Sequence, residues 1–230
     1  MIRFLADIIY LFFFLTLTAP LYPLFNHWNK TGQSHRRSAM AQRMVMNAFH
    51  ICLHFAGVKV IVDGKEKIPP DTAVLYVGNH SSYYDILCSY IATPTGVGFF
   101  AKKEMSKVPC LRHWMEFINC LFLDRTNIKE GLKTMNQGTE YLKQGFSMVI
   151  FPEGTRSQDP EPHAFKEGSL RPALKANVPV IPIAISGTAD ILENNRKYTV
   201  KPTTVHISFG SPIPAINPGT AEEARITCQL

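Results

Sequence analysis

From residue 58 onward, short apolar runs alternate with stretches of helical periodicity, and this pattern limits the fold more than any other feature. Apolar runs predict strands at residues 58–62, 72–77, 98–101, 121–123, 146–151, 178–185 and 203–209. The stretches at residues 83–91, 128–144 and 167–176 predict helices. Strands that are apolar on both faces and separated by helices form parallel sheets covered by helices. The sequence therefore predicts an α/β fold with a mixed, largely parallel sheet flanked by helices, with functional side chains in the loops after the strands.

The first 56 residues have a different character, and we expect a membrane-association segment at residues 1–56 ahead of an α/β domain at residues 57–230. Residues 4–25 are mostly apolar but are interrupted by Asp7, two threonines, Pro20 and Pro23. Their unbroken core, residues 8–15, is shorter than the roughly 20 apolar residues of a full span. A helix that is broken near Pro20 and enters or lies in one leaflet fits best. A true span and a cleaved signal peptide are the alternatives. A polar connector at residues 26–38 and a helix at residues 40–56 follow.

The positive charge of the chain is concentrated in this first segment. The whole sequence has 24 Lys and Arg against 18 Asp and Glu, a net charge of +6. Residues 1–50 hold five of those cations and one acid, which gives +4. An apolar and basic terminus favours an anionic membrane surface over nucleic acid as the partner.

The cysteines indicate the compartment. Five cysteines, an odd number with no C-x-x-C pair, favour a reducing environment and give no metal-site pattern. We therefore expect a membrane-associated protein on the cytoplasmic face of the cell membrane.

The first chemically suggestive cluster, Asn-His-Ser-Ser-Tyr-Tyr-Asp at residues 79–85, follows the predicted strand at residues 72–77. Asp85 can fold back onto the His80 ring if the chain turns into a helix between them. One ring nitrogen then binds the carboxylate, and the other is left to act as a general base. Taken alone, the pattern is also explained by a turn with a helix-capping Ser or Asp.

The second cluster, Pro-Glu-Gly-Thr-Arg-Ser at residues 152–157, directly follows the predicted strand at residues 146–151. Gly154 allows a ligand to approach the backbone closely, and Arg156 offers a forked donor for phosphate, with Glu153 beside both. A turn with a surface ion pair is the alternative explanation.

Together, these two clusters resemble the signature motifs of the glycerolipid acyltransferase family. Five further blocks are similar to the family's other motifs and occur in the same order: Phe-Ala-Lys-Lys-Glu at 100–104, Phe-Leu-Asp-Arg at 122–125, Phe-Lys-Glu-Gly at 165–168, Val-Pro-Val-Ile-Pro at 178–182 and Phe-Gly-Ser-Pro-Ile at 209–213. The resemblance covers roughly residues 55–215, and the ordered set is specific. The chain departs from the family at Asn119 and Cys120, where glycine usually precedes the second motif, and at Glu167, where a second basic residue is common.

The resemblance implies the fold of glycerol-3-phosphate acyltransferases and the activity of the lysophosphatidic acid acyltransferases. These enzymes transfer a fatty acyl group from an acyl thioester to the sn-2 hydroxyl of 1-acyl-glycerol 3-phosphate, which gives phosphatidic acid in phospholipid biosynthesis. It assigns His80 as the general base and Asp85 as the residue that orients it. An imidazole near its ordinary pKa is largely neutral at pH 7 and is available as a base. Backbone N–H groups near Gly154 are expected to stabilise the oxyanion.

The same resemblance supplies a set of substrate-binding residues. They are Lys102, Lys103, Arg125, Glu153, Gly154, Thr155, Arg156 and Lys166, with the cations on the acceptor phosphate. No cofactor or metal is expected, since acyl-CoA or acyl carrier protein serves as the acyl donor. The expected partners are a phospholipid surface, lysophosphatidic acid and the donor, and no nucleic acid.

Three alternatives remain open from the sequence. Glycerol 3-phosphate or another lysolipid is the first, as an alternative acceptor. A serine hydrolase using Ser81 or Ser82 is a second reading, although the chain has no G-x-S-x-G nucleophile elbow. A non-catalytic membrane-binding module is a third, and it leaves the His–Asp and Glu–Arg clusters at strand ends unexplained.

Overall fold

A seven-stranded sheet forms the centre of the computed structural model, which describes residues 1–94, 96–157, 163–166, 168–215, 220–227 and 230. In chain order the strands are β1 (Lys59–Asp63), β2 (Leu75–Gly78), β3 (Gly98–Lys102), β4 (Leu121–Leu123), β5 (Met148–Ile150), β6 (Val180–Ser186) and β7 (Thr204–Phe209). Their order across the sheet is β1-β7-β6-β2-β5-β3-β4. Every neighbouring pair is parallel except β6 and β7. The predicted mixed, largely parallel α/β fold is confirmed.

Helices cover both faces of this sheet. They are α1 (Ile2–Leu17), α2 (Tyr22–Lys30), α3 (Ser34–Ala56), α4 (Tyr84–Ala92), α5 (Pro109–Phe117), α6 (Ile128–Lys143), α7 (Arg171–Ala176) and α8 (Thr220–Thr227). One apolar core joins α2, α3, α4 and α5 to the sheet, and a second joins α6, α7 and α8 to it. Successive residues of β2 alternate between the cores, with Tyr76 in the first and Leu75 and Val77 in the second. This is why the central strands are apolar at every position.

The predicted helices match these elements with two differences. The segment at residues 107–117, which has no clear periodicity, is mostly helical, because a 3₁₀ turn ends at Lys107 and α5 begins at Pro109. The helix predicted at residues 167–176 is α7, which begins at Arg171. Glu167, where that helix was expected to begin, lies outside the described residues.

The first helix uses its one acidic residue to dock on the rest of the protein. Asp7 is buried, and its carboxylate accepts a hydrogen bond of 2.6 Å from the Tyr84 hydroxyl at the start of α4. Burial raises the pKa of Asp7. The helix ends at Leu17, and a 3₁₀ turn follows at Ala19–Leu21. The break predicted near Pro20 is therefore present.

The polar connector predicted at residues 26–38 is wrong, because most of it is helical. Helix α2 continues to Lys30 and α3 begins at Ser34. Trp28 and Arg37 in this segment are buried, at 8% and 5% exposure. The polarity that suggested a solvated linker instead provides hydrogen bonds to the α/β domain.

Asn119 receives these hydrogen bonds at the point where the family usually has glycine. Its backbone is left-handed, with φ of 61°, and its side chain is fully buried. The side chain accepts from the Arg37 guanidinium and donates to the Ser38 hydroxyl at 2.9 Å. Asparagine tolerates the left-handed region better than most residues. Asn119 thus keeps the glycine conformation and also fixes α3 to the loop before β4.

We expect Asn119→Gly and Asn119→Ala to separate these two contributions. Both lose the side-chain hydrogen bonds, one of them to a charged group, which is worth about 1.5–3 kcal/mol. Alanine also carries a left-handed penalty of about 1–2 kcal/mol. Melting temperatures measured in mild detergent should therefore fall in the order wild type, Asn119→Gly, Asn119→Ala. Equal melting temperatures for the two variants would show that the backbone conformation contributes nothing.

Candidate active site

The predicted catalytic loops meet because three parallel strands lie side by side. Strand β2 is hydrogen-bonded to β5 on one side and to β6 on the other. The His-Asp cluster follows β2 and the Glu-Gly-Thr-Arg cluster follows β5. Since parallel strands end at the same edge, both clusters and the loop after β6 share one edge of the sheet.

His80 and Asp85 form the pair that the sequence predicts. The Nδ1 atom of His80 lies 2.8 Å from Oδ2 of Asp85. An ionised carboxylate only accepts hydrogen bonds, so Nδ1 carries the proton and Nε2 has a free lone pair. Among the residues that the structure describes, none hydrogen-bonds to Nε2, and the His80 side chain is 17% exposed. The pair therefore presents a base to the edge of the sheet.

The Asp85 carboxylate is completely buried and fully hydrogen-bonded. Its Oδ2 atom also accepts from the backbone N–H groups of Ser81 at 2.7 Å and Ser82 at 2.8 Å. Its Oδ1 atom accepts from the hydroxyl of Thr188, in the loop after β6. These donors stabilise a buried charge that would otherwise be costly.

The ring of His80 is fixed by two neighbouring segments. It stacks on Phe151, directly after β5, with ring centroids 4.3 Å apart and an interplanar angle of 12°. The backbone carbonyl of His80 accepts from the Ser157 N–H at 2.7 Å. The two signature clusters are therefore joined by direct contact.

Neither serine of the first cluster is placed as a nucleophile. The Ser82 hydroxyl is fully buried and accepts from the Tyr84 N–H at 3.0 Å. The Ser81 hydroxyl lies 3.2 Å from the Thr188 hydroxyl. Within the described part of the chain, neither hydroxyl contacts the His80 ring by a hydrogen bond, so the geometry does not favour the serine hydrolase reading.

In the second cluster, Glu153 and Gly154 shape the loop. Glu153 is buried, and its carboxylate accepts from the His163 N–H at 3.1 Å. This contact ties residues 163–166 to the cluster. Gly154 has φ of 77°, and its N–H donates to the Phe151 carbonyl at 3.0 Å. That N–H is therefore occupied, whereas Thr155 is exposed and its N–H has no acceptor among the described residues.

Arg156 is held at the His80 side of the loop. Its guanidinium donates to Glu193 at 3.1 Å and lies 3.7 Å from the centroid of the Tyr83 ring. Glu193 also accepts from the Tyr83 N–H at 2.9 Å. Glu193 therefore holds the Arg156 guanidinium of the second cluster close to the Tyr83 backbone of the first.

A cavity of about 280 Å³ lies beside the second cluster and reaches Phe151, the ring that stacks on His80. Arg125, Lys166 and Arg171 supply cations to its wall, next to Gly154. The remainder is largely apolar and includes Phe100, Leu123, Ile128, Leu132, Met135, Ile150 and Phe151. A ligand with an anionic group and a long apolar chain matches this combination.

Comparison with known proteins identifies the family. The acyltransferase family model matches residues 59–186, more than half of the chain. The chain belongs to the acyltransferase family. The acyltransferase is 31% identical to a probable 1-acyl-sn-glycerol-3-phosphate acyltransferase of Mycoplasma pneumoniae, over 76% of this chain and 69% of that protein.

Two further comparisons agree with this assignment. The 1-acyl-sn-glycerol-3-phosphate acyltransferase of Borreliella burgdorferi is 28% identical over 66% of this chain, which spans 61% of that protein. The crystal structure of the 1-acyl-sn-glycerophosphate (LPA) acyltransferase from Thermotoga maritima aligns with a TM-score of 0.70 at 26% identity. That alignment covers 99% of this chain and 93% of the other.

Six of the eight predicted substrate-binding residues of the acyltransferase fall into three groups, and the other two, Glu153 and Thr155, lie in the loop after β5. Arg125, Gly154 and Lys166 line the cavity, whereas Arg156 contacts Glu193 and Tyr83. Lys102 and Lys103 lie at the end of β3, outside the residues that line the cavity.

Three residues of this site were not found from the sequence. Arg171 lines the cavity, Glu193 holds Arg156, and Thr188 holds Asp85. Thr188 had a usable signal, since it follows the end of an apolar strand as the two recognised clusters do. Arg171 and Glu193 had none, because each is an ordinary surface residue type in its segment.

The two adjacent lysines have different environments. Lys103 forms a 2.6 Å ion pair with Asp124, which also accepts from the Thr126 and Asn127 N–H groups. Lys102 is 62% exposed and lies 4.0 Å from Glu104. The ion pair with Lys103, and next the hydrogen bonds from Thr126, hold the pKa of Asp124 well below its ordinary value. Asp124 directly precedes Arg125, so this pair anchors the turn that carries a cavity cation.

We expect Lys103→Met, but not Lys102→Met, to lower the stability of the acyltransferase near neutral pH and to make its stability fall less steeply in acid. A carboxyl whose pKa is lowered by folding stabilises the protein above its unfolded pKa and loses that contribution as the pH falls through the folded pKa. Without Lys103 the folded-state pKa of Asp124 lies closer to its unfolded value, so the contribution is smaller at neutral pH and less of it is lost in acid. Melting temperatures between pH 3 and 8 measure this, with Lys102→Met as the matched control. Identical acid profiles for both variants would contradict the anchoring role.

Proposed function

We propose that this acyltransferase transfers a fatty acyl group from an acyl thioester to the sn-2 hydroxyl of 1-acyl-glycerol 3-phosphate. The product is phosphatidic acid, a precursor in phospholipid biosynthesis. The observation that carries the proposal is a His80–Asp85 pair with a free Nε2 atom, whose imidazole stacks on Phe151 in the wall of a cavity that is cationic on one side and apolar on the other. The names of its relatives in Mycoplasma and Borreliella support the same acceptor.

The proposed reaction needs no protein nucleophile, because both substrates bind together. Nε2 of His80 takes the proton of the sn-2 hydroxyl as that oxygen attacks the thioester carbonyl carbon. The tetrahedral intermediate then collapses, the carbon–sulfur bond breaks, and the imidazolium returns the proton to the departing thiolate. Asp85 keeps the proton on Nδ1 and stabilises the imidazolium that forms between these steps.

The oxyanion of the intermediate requires a donor that is not already used. Of the backbone N–H groups near Gly154 that are expected to stabilise the oxyanion, that of Gly154 itself already donates to the Phe151 carbonyl. The Thr155 N–H is the better candidate in this loop, because nothing in the described part of the chain accepts from it. We assign it that role here.

The acceptor phosphate would bind at the cationic wall of the cavity. Arg125 and Lys166, which the sequence predicts, act there with Arg171. The apolar wall suits an acyl chain. Arg156 and Glu193 then border the space next to His80, where the glycerol backbone would lie.

The acyl donor is a co-substrate, either acyl-CoA or acyl carrier protein, and no cofactor takes part in the scheme. Glycerol 3-phosphate or another lysolipid is the alternative acceptor. The apolar wall favours an acceptor that already carries an acyl chain over glycerol 3-phosphate, which has none.

A panel of acceptors and donors with His80→Ala as the inactive variant tests this function. The purified protein should form phosphatidic acid from lysophosphatidic acid, as measured by mass spectrometry, and His80→Ala should lower the rate by about 10²–10⁴-fold. Wild-type melting behaviour in the variant is the control. Normal turnover by His80→Ala would exclude His80 as the base. A kcat/KM that is higher for glycerol 3-phosphate than for lysophosphatidic acid would show that glycerol 3-phosphate is the acceptor.

We also propose that α1 attaches the protein to a membrane. By length and composition alone, the helical segment Ile2–Lys30 could cross a bilayer, which is a weak indication by itself. One side of α1 packs on the protein through Asp7, and Arg3 donates to the Phe55 carbonyl at 2.8 Å. Its other side exposes large apolar side chains, namely Ile2, Leu5, Ile8, Ile9, Phe12, Phe13 and Leu17. We propose that this side lies in the cytoplasmic leaflet, where the lipid substrate is dissolved.

Paired substitutions on the exposed side of α1 test this placement. Phe12 and Phe13 are 61% and 51% exposed. Replacing both by serine should lower partitioning onto anionic phospholipid vesicles by about tenfold or more, since a buried phenyl group is worth about 1.5–3 kcal/mol. Replacing both by leucine keeps the apolar surface and is the control. Unchanged sedimentation of the serine variant with vesicles would remove α1 from the membrane.

A further inference from the structure

The loop after β6 supplies the hydrogen bond that completes the Asp85 carboxylate. Thr188 is fully buried, and its hydroxyl contacts Oδ1 of Asp85, 103 residues away in the sequence. We propose that Thr188 is a positioning residue for acyl transfer, which holds Asp85 so that Oδ2 faces Nδ1 of His80. This inference rests on the proposed function.

The strand end beneath Thr188 is held rigidly against the His80 loop. The Asn79 side chain donates to the Ile185 carbonyl and accepts from the Ile185 N–H, both at 2.8 Å. Gly187 then turns with φ of 87°, and a Cβ atom there would lie 2.6 Å from the Thr204 carbonyl oxygen. Only glycine fits this turn, which directs the next residue back toward β2. Thr188 therefore directly follows a backbone segment that is hydrogen-bonded to the His80 loop.

The direction of each hydrogen bond follows from the chemistry of the groups. A carboxylate only accepts, so the single hydroxyl proton of Thr188 points to Asp85. The Ser81 hydroxyl, 3.2 Å away, must then donate to the Thr188 oxygen. The resulting chain runs from Ser81 through Thr188 to Asp85, which accepts from His80 on its other oxygen.

Loss of the Thr188 hydroxyl would change the basicity of His80 as well as the stability of the fold. With Oδ1 unpaired, the carboxylate can rotate and its charge is less dispersed. It then holds the proton on the imidazole more strongly, so His80 becomes a free base only at higher pH. The acidic limb of the kcat/KM profile should move in that direction.

Cys88, Arg156 and Glu193 are titratable groups that also lie near the pair. Cys88, on the next turn of α4, is kept neutral because burial and the Asp85 charge raise the pKa of its thiol to about 12. Arg156 and Glu193, which contact the neighbouring Tyr83, form an ion pair with each other. A moved acidic limb would therefore report on the His80–Asp85 pair.

Two pairs of full-length variants differ only by this hydroxyl: wild type against Thr188→Val, and Thr188→Ser against Thr188→Ala. Within each pair, the variant without the hydroxyl should lose about tenfold to a hundredfold in kcat/KM with lysophosphatidic acid. Its acidic limb should also move to higher pH. The second pair keeps the test valid if valine does not fit. Thr93→Val, a buried threonine at the far end of α4 that donates to the Tyr90 carbonyl, is the structural control.

The outcomes separate the two proposals. The control should lower only the melting temperature and leave the acidic limb in place. If the wild type is active, and kcat/KM and the acidic limb of the pH profile are the same within each pair, the role of Thr188 is overturned and the proposed function stands. A loss of activity that only follows melting temperature would also overturn it. A wild type that forms no phosphatidic acid would instead refute the proposed function.

Discussion

The buried carboxylate of Asp85 is the interaction on which the rest of the site depends. A charge without solvent exposure is tolerated only if several donors surround it. Here two donors are backbone N–H groups of its own loop, one is His80, and one is Thr188 from another strand end. The last of these requires β2 and β6 to be neighbours and parallel. The order of strands in the sheet therefore helps to determine which nitrogen of the His80 ring carries the proton.

The fold and the residue pair were predictable because their signals are local. Strands that are buried on both faces are apolar at each position, and a His five residues before an Asp can pair across a single helical turn. Residues 26–38 were misread because polar composition cannot distinguish solvent exposure from a buried hydrogen-bond network. Only the position of Asn119, more than 80 residues later, shows that Arg37 is an internal contact. Glu193 is a similar case, since its partners Tyr83 and Arg156 are distant in the chain. Thr188 has a local signal, its position after an apolar strand, although its partner Asp85 is 103 residues away.

The cations around the site serve two different purposes, which a count of charges does not separate. Lys103 forms an ion pair with Asp124, and Arg156 forms one with Glu193, so these two cations hold loops in place. Arg125, Lys166 and Arg171 instead line the cavity. Arg125 depends on the first group, because it directly follows Asp124. Replacing Lys103 therefore disturbs the cavity indirectly, because the turn that carries Arg125 loses its ion pair.

Asp7 connects the apolar helix to the same network. An ionisable residue in an apolar helix is unfavourable in lipid, yet this one faces the protein and accepts from Tyr84. Tyr84 is adjacent to Asp85 and begins the helix that carries it. The acid that interrupts the apolar segment therefore has a structural reason, because it fixes α1 beside the His80–Asp85 pair. The exposed apolar side of α1 is thereby held in a defined orientation relative to His80, and a lipid surface bound to that side would be held in the same orientation.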